Sequence, residues 1–264
     1  MLNFASQELN NWRESNNYCE LAANITARKI QVKAAPVKLF ADKLCLPSTA
    51  GCIERPRLIG HLEKSLAQFS ATLLTGRAGT GKTTLAADFA RGGNFNVAWY
   101  KVENADADWN IFASYMAASF NQLNGKFAID AEEIKRLEVA SAAEFLAEKF
   151  AAAAKEKPLL LILDDLHSIF DADWFAEFFN VFLPSHKSKV RLLLTTRAAP
   201  PLPLWRLRSK QILGVVEEKL LAFTTEETVE LFRRHKLSAA AARTAHKRSY
   251  GRIAKLVEIA GRKD

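Results

Sequence analysis

The stretch Ser70–Thr84, SATLLTGRAGTGKTT, decides the fold. Ser70–Thr75 is an apolar run of strand length. Gly76, Arg77, Ala78, Gly79, Thr80, Gly81, Lys82 and Thr83 then fit the pattern G-x-x-x-x-G-K-[ST], with Thr84 behind it. Leu85, Ala86 and Phe89 follow at helical spacing. A strand running into a glycine-rich loop that opens a helix is the context in which this pattern is a phosphate loop and not an idle turn. The residue types follow from the task. Glycines let the backbone curl so that its N–H groups point at phosphate oxygens, and the helix presents its positive end to the same anion. Lys82 supplies a point charge for the β- and γ-phosphates, and the Thr83 hydroxyl is a candidate Mg²⁺ ligand.

Such a loop needs a carboxylate across the site to hold the metal. Leu159–Asp165, LLLILDD, provides two acids at the end of a strand too apolar to lie anywhere but inside a sheet. Asp164 is assigned to Mg²⁺, through water, and Asp165 to orienting the attacking water; the alternative for Asp165 is to cap the next helix. An Asp reaches less far than a Glu, so slow hydrolysis is expected. Arg197 closes the run Leu192–Thr196 and is expected to sense the γ-phosphate, with a solvated strand-end arginine as the plainer reading. His167 is read as a helix-start histidine bonded to nearby backbone.

Working outward, apolar runs at Asn96–Val102, Leu159–Leu163 and Val190–Thr196 alternate with helical patterns at Thr83–Arg91, Trp109–Leu123, Ala131–Ala154 and Trp174–Phe182. Strands apolar on both faces and separated by helices predict an α/β fold of the P-loop NTPase kind, a parallel sheet sandwiched by helices. Upstream, the turn-rich Leu46–Pro56 leads into a helix with Leu58, Leu62 and Leu66 on one side. Downstream, the proline-rich link Ala199–Leu204 and an extended piece, Gln211–Val215, precede three short helices. The first has a Thr224/Glu227 capping box, the second starts near Ser238, and the third carries Ile253, Leu256, Val257 and Ala260 on one stripe. The expected organisation is an Asn-rich N-terminal extension of no assigned role (1–42), a nucleotide-binding domain (43–204) and a basic, small α-helical subdomain (205–264).

The 264 residues are 49% hydrophobic and 25% charged, an ordinary globular mixture. Leu159–Leu163, the longest aliphatic run, falls far short of the roughly 18 residues of a membrane span, so no membrane segment is expected. The opening MLNFASQELNNW lacks a secretory pattern, and a cytoplasmic location is expected. Cys19, Cys45 and Cys52 form no C-x-x-C pair and are read as reduced packing residues. The net charge of +8 is uneven: from Trp205 to Asp264, 14 Lys/Arg face 7 Asp/Glu, which leaves +7 in the tail. The tail is read as a solvated basic face, with contact to nucleic acid as the alternative.

Together these motifs resemble a known module. Lys43–Pro47 (KLCLP), Arg55–Leu58 (RPRL), the phosphate loop, Val97–Trp99, Asp164–His167, Thr195–Arg208 (TTRAAPPLPLWRLR) and Phe223–Glu227 occur in the order found in signal-transduction ATPases with numerous domains, the STAND class. Within it, the sequence is most similar to the maltose-activator-like (MalT-like), large LuxR-type transcriptional regulators, over about Lys43–Gly261. The resemblance implies an ATP/ADP switch with weak Mg²⁺-dependent ATPase activity. ADP holds a closed form, and ATP with an inducer permits self-association or pairing with a larger regulator. It carries the phosphate-loop residues, Asp164, Asp165 and Arg197 over position by position, and brings Arg55 near the nucleotide. Two departures stand out. Gly251-Arg252-Ile253 replaces the family's Gly-x-Pro, and the sequence stops at Asp264, before the winged-helix, sensor and DNA-binding domains, so direct transcriptional activation by this polypeptide is not expected.

Three other readings share the motif. A small-molecule kinase would use Arg206 and Arg208 as a lid, an AAA-like DNA-associated ATPase would use the basic tail, and a remnant would bind nucleotide without regulated output. GTP is disfavoured because no N-K-x-D string occurs.

Overall fold

A computed structural model describes residues 37–123, 128–154, 157–185 and 189–261. The Asn-rich extension, but for Val37–Asp42, lies outside the described residues, with its spacing of Leu9, Trp12 and Leu21 and with Cys19.

Five strands, β1 (Ala71–Thr75), β2 (Asn96–Lys101), β3 (Leu159–Asp164), β4 (Val190–Thr196) and β5 (Leu213–Val216), form one parallel sheet in the order β2-β3-β4-β1-β5. Successive side chains of a strand point to opposite faces, so each aliphatic run serves two cores. Leu159, Leu161 and Leu163 of β3 face a large core with Leu192 and Leu194 of β4, while Leu160, Ile162 and Leu193 face a second one. Helices α1 (Pro56–Gln68) and α2 (Lys82–Gly92) cover the second face through Leu58, Leu62, Leu66, Leu85 and Phe89. The first is covered by α3 (Trp109–Asn121), α4 (Ala131–Lys135), α5 (Val139–Ala153), α6 (Phe175–Phe182) and α7 (Leu202–Ser209), where Phe112, Phe178, Phe179 and Phe182 pack edge to face or stacked.

Three local expectations are corrected. The helix expected over Ala131–Ala154 is two, because a continuous helix would turn Ile134 and Leu137 about half a turn away from Ala142, Leu146 and Phe150. Breaking at Arg136–Glu138 lets both stripes reach the core. The link Ala199–Leu204 is helical from Leu202, with Pro203 in the first turn, where its missing N–H costs nothing. The extended piece starts at Leu213, because Gln211 exits α7 in the left-handed region (φ 58°). Residues 205–264 therefore contain the fifth strand of the core sheet as well as helices.

After β5, a single turn α8 (Glu218–Leu221) precedes α9 (Thr225–Arg234), α10 (Ala239–Ser249) and α11 (Ile253–Gly261). The Thr224/Glu227 box caps α9 and Ser238 caps α10, as the sequence predicts. These helices have their own small core of Phe223, Leu231, Phe232, Ala242, Leu256 and Ala260.

The segment 41–55 straps across the α/β core and is fastened to it at two places, while Arg234, from the helical part, donates to the carbonyls of Gly51 and Cys52. Lys43 is buried under the Tyr115 ring, 4.0 Å from its centroid, and bonds both carboxylate oxygens of Asp106 at 2.5 and 2.7 Å. Arg91 of α2 donates to the carbonyls of Leu46 and Pro47 and to Thr49 Oγ1. Cys45 and Cys52 on this strap are exposed free thiols and not packing residues. Removing one partner of a buried pair leaves the other charge uncompensated, so Asp106→Ala is expected to cost about 3–5 kcal/mol. Denaturant unfolding checks this, and a loss below about 1 kcal/mol would mean that Lys43 finds water instead.

A candidate phosphate site and adjoining cavity

In a parallel sheet all strands end on one edge, so Thr75, Asp164 and Thr196 deliver their following residues to one place. The phosphate loop turns there through Gly79 (φ 75°) and Gly81 (φ 81°), both left-handed. Space demands glycine as firmly as conformation does. A Cβ on Gly79 would stand 2.6 Å from Ala254 Cβ, and one on Gly81 2.8 Å from Ile253 Cδ1. The start of α11 thus rests directly on the loop, and Ala254 N donates to Gly79 O at 3.2 Å.

Lys82 Nζ donates to the carbonyls of Gly76 (2.5 Å) and Arg77 (2.9 Å) and to Thr80 Oγ1 (3.2 Å). Burial pulls its ammonium below the usual lysine value, opposed by the nearby Asp165 and Asp164 carboxylates. Arg77 turns outward to Glu218, which accepts from both its guanidinium and its backbone N–H.

Asp164 is 1% exposed and receives three hydroxyl contacts: Thr83 Oγ1 lies 3.0 Å from each carboxylate oxygen, and Thr195 Oγ1 donates to Oδ1 at 2.7 Å. Burial raises its carboxyl above the ordinary range, and the hydroxyl bonds oppose the rise. Because β4 lies between β1 and β3, Thr195 occupies the strand that separates loop from acid. Its oxygen also accepts the Asp165 N–H at 2.9 Å, fixing where the second acid begins. Thr195 is the residue sequence reasoning missed. Its only signal was a hydroxyl at the end of an otherwise aliphatic run.

Asp165 adopts a left-handed backbone (φ 59°) at the start of a single 3-10 turn, Leu166–Ile169, and makes no side-chain cap bond. Both its oxygens are taken by Arg197, Nε to Oδ1 at 3.0 Å and Nη2 to Oδ2 at 2.6 Å, a bidentate fork. The acid read as the water's partner and the arginine read as the γ-phosphate's are joined to each other. His167 does not bond backbone through Nδ1. That atom is buried, 4.0 Å from Asp165 Oδ1, with no hydrogen-bond partner among the described residues.

Beside the loop opens a cavity of about 580 Å³, lined by the strap (Thr49 and Gly51–Arg55), by Gly81, Thr84, Leu85 and Asp88, and by Phe223, Leu231, Arg234, His235, Ile253 and Val257. Thr84, Leu85 and Asp88 recur at the spacing that puts them on one face of α2. Arg55 is 5% exposed. Its Nη2 donates to Leu221 O at 2.5 Å, its guanidinium lies 5.0 Å from the Phe223 ring, and Nε stands 3.6 Å from Glu227 Oε2. Nε and Nη1 have no hydrogen-bond partner among the described residues. Burial pushes this guanidinium down to about 10, only partly offset by Glu227. A buried arginine with open donors beside a cavity of ligand size is a recognition group in waiting. Among the described residues no three His, Cys, Asp or Glu side chains converge, so a cation would rest on Asp164, Thr83 and oxygens from outside the chain.

The model of the AAA ATPase domain family matches residues 53–195. The HTH-type transcriptional regulator MalT of Serratia proteamaculans is 32% identical over 197 residues, 74% of this chain and 22% of that protein. MalT of Vibrio parahaemolyticus is 30% identical over 182 residues, 68% and 20% respectively. The chain therefore spans about a fifth of the length of these regulators. Among solved structures, a Walker-type ATPase of Pyrococcus abyssi superposes with a TM-score of 0.56 at 14% identity, covering 81% of this chain and 69% of that one, which supports the fold alone. With a phosphate loop, a buried acid at the end of an inner strand and an arginine closing the strand between them, the chain belongs to the AAA ATPase domain family and carries a P-loop module related to that of the MalT regulators.

Proposed function

We propose that the protein is an ATP/ADP-binding switch of the STAND type, with slow Mg²⁺-dependent ATPase activity. One observation carries the reading: Lys82 and the Thr83–Asp164 contact border the loop, while buried Arg55, with two unpartnered donors, lines the adjoining cavity together with Gly81 and Thr84. Adenine nucleotide fits this arrangement, with phosphates on the amides of residues 76–84 and the nucleoside in the cavity. Bound Mg²⁺ supplies charge neutralisation at the phosphates, with Thr83 and Asp164 as its protein ligands.

Each side chain then has a task. Lys82 leaves the loop carbonyls for phosphate oxygens, Thr195 orients Asp164, and Arg55 offers Nη1 and Nε to acceptors of the nucleotide. Arg197 neutralises γ-phosphate charge, and Asp165 orients water only when Arg197 releases it. That shared tether is a physical reason for slow turnover. Residues 43–204 form the nucleotide-binding part. Residues 205–264 cover it and lend β5 to its sheet, and residues 1–42 have no assigned role. ATP-dependent self-association, or pairing with a larger regulator in the cytoplasm, fits a module of this class. Among the described residues no helix is long and apolar enough to cross a membrane. The kinase reading has less support. Arg208 lies over the Trp205 ring (4.9 Å) and pairs with Glu217, and neither it nor Arg206 lines the cavity.

Native mass spectrometry of the purified chain is expected to find bound ADP or ATP, lost in Lys82→Ala; equal retention counts against the assigned pocket. Thr195→Val, which keeps shape and removes the hydroxyl, should raise the Mg²⁺ concentration for half-maximal hydrolysis about tenfold or more, as orienting partners of metal ligands do. Arg197→Ala is expected to slow hydrolysis at least about tenfold while ADP affinity, read by calorimetry, changes little. A parallel loss of ADP binding would assign Arg197 to the fold instead.

A further inference from the structure

Across the molecule many surface cations are paired. Arg77 meets Glu218, Arg57 meets Glu227, Arg197 meets Asp165, and Arg233 and Arg234 meet Glu230. Exposed cations without an ion pair also occur singly, at Lys64, Arg136, Arg206, Lys210 and Lys219, but they are most numerous in the region after Glu230. Between Glu230 and Glu258 the sequence has no acidic residue. Apart from the two arginines held by Glu230, the region carries Lys236, Arg243, Lys247, Arg248, Arg252 and Lys255, all exposed. None of these six side chains makes an ion pair or a hydrogen bond among the described residues; Arg252 feels Glu218 only at a distance. Like charges at i and i+4, such as Arg243 and Lys247 on α10, destabilise a helix. Lys247 and Arg248 suit the C-terminal end of α10, but Arg243 and Lys247 have no counter-charge beside them.

The turn between α10 and α11 adds a second observation. Tyr250 is 86% exposed and sits in the left-handed region (φ 52°), which disfavours a bulky residue. It is not on a loose loop. Gly251 O accepts from Phe223 N at 2.9 Å, and a Cβ on Gly251 (φ 71°) would meet Phe223 O at 2.4 Å. Arg252 N returns to Ser249 O at 3.1 Å. The turn is seated on the helical core and holds an aromatic ring out in solvent, with Lys247 and Arg248 before it and Arg252 and Lys255 after it. Tyr250 and Arg252 also line a groove of about 440 Å³ together with Lys219 and the Arg77–Glu218 ion pair.

We propose that the α10–α11 region around Tyr250 binds single-stranded nucleic acid, its cations contacting backbone phosphates and the Tyr250 ring stacking on a base. Unpaired cations match a polyanion, and a protruding ring finds a free π-face on an unpaired base but not inside a duplex. An acidic membrane is the poorer match, because Tyr250 and Val257 are the only exposed large apolar side chains on α9–α11 among the described residues. The proposal does not rest on the reading of the phosphate loop.

The test uses the full chain and fluorescein-labelled oligo-dT and oligo-rU of about 20 nucleotides, followed by anisotropy between about 50 and 200 mM salt. Binding is expected to fall with salt at about −0.7 log units per phosphate contact, so Arg243→Ala with Lys247→Ala should flatten the slope by about 1.4. Tyr250→Ala should weaken binding about 5- to 150-fold with the slope unchanged, and Tyr250→Phe should retain it, since stacking needs the ring and not the hydroxyl. Thermal unfolding checks that each variant is folded; should Tyr250→Ala prove unstable, Tyr250→Trp must bind at least as tightly as wild type. No binding at the lowest salt overturns the proposal. So does indifference to the ring, duplex DNA bound as tightly as single strands, or equal capture by phosphatidylserine vesicles.

Discussion

The site is organised by the need to keep one carboxylate inside a sheet. Asp164 ends β3 at 1% exposure, where an ion without partners would cost several kcal/mol or give up its charge. The answer is hydroxyls from two other elements, Thr83 at the start of α2 and Thr195 on β4. Those bonds tie together the helix after the loop, the strand between, and the acid strand. The interaction that makes burial of Asp164 tolerable also sets the distance from the loop to this acid. The same logic explains why β3 is aliphatic on both faces up to its last residue. The acid must arrive at the sheet edge already positioned, and only a strand locked in two cores can deliver it so.

Much of this was legible in the sequence, for reasons that differ from element to element. The loop and the aliphatic strands announce themselves because parallel sheets demand runs apolar on both faces and phosphate cradles demand glycine. The capping box at Thr224 was readable because it is a purely local bargain between a hydroxyl, a carboxylate and two amides. What could not be read depends on strand order. Nothing in the chain says that β4 is inserted between β1 and β3, and without that placement Thr195 is an ordinary threonine, while Asp165 and Arg197 are separate residues with separate expected tasks. The break at Arg136–Glu138 was hidden because local helix preference runs through it; only the position of the core shows that the two apolar stripes cannot face it in one helix. Arg55 was placed near the nucleotide by resemblance alone. Its open donors and lowered guanidinium value come from burial under Leu221 and Phe223, contacts more than 160 residues away along the chain.

The helical part is held to the core by few but specific contacts. Arg57 and Arg55 reach Glu227 and the carbonyls near Leu221, Arg77 forks onto Glu218, and α11 sits on the loop glycines. At the start of α11, Ile253 fills the space against Gly81 with a branched side chain.

The seat of α11 on Gly79 makes that helix a pointer whose pivot is the phosphate loop itself. At about 1.5 Å per residue its nine residues extend roughly 13 Å to Gly261. A rocking of the loop by about ten degrees displaces the distal tip by about 2 Å, enough to disengage one side chain from its socket. The near end of this lever bears on the loop while Ala260, close to its far end, is buried in the helical core, so one helix joins the two parts without passing through the sheet.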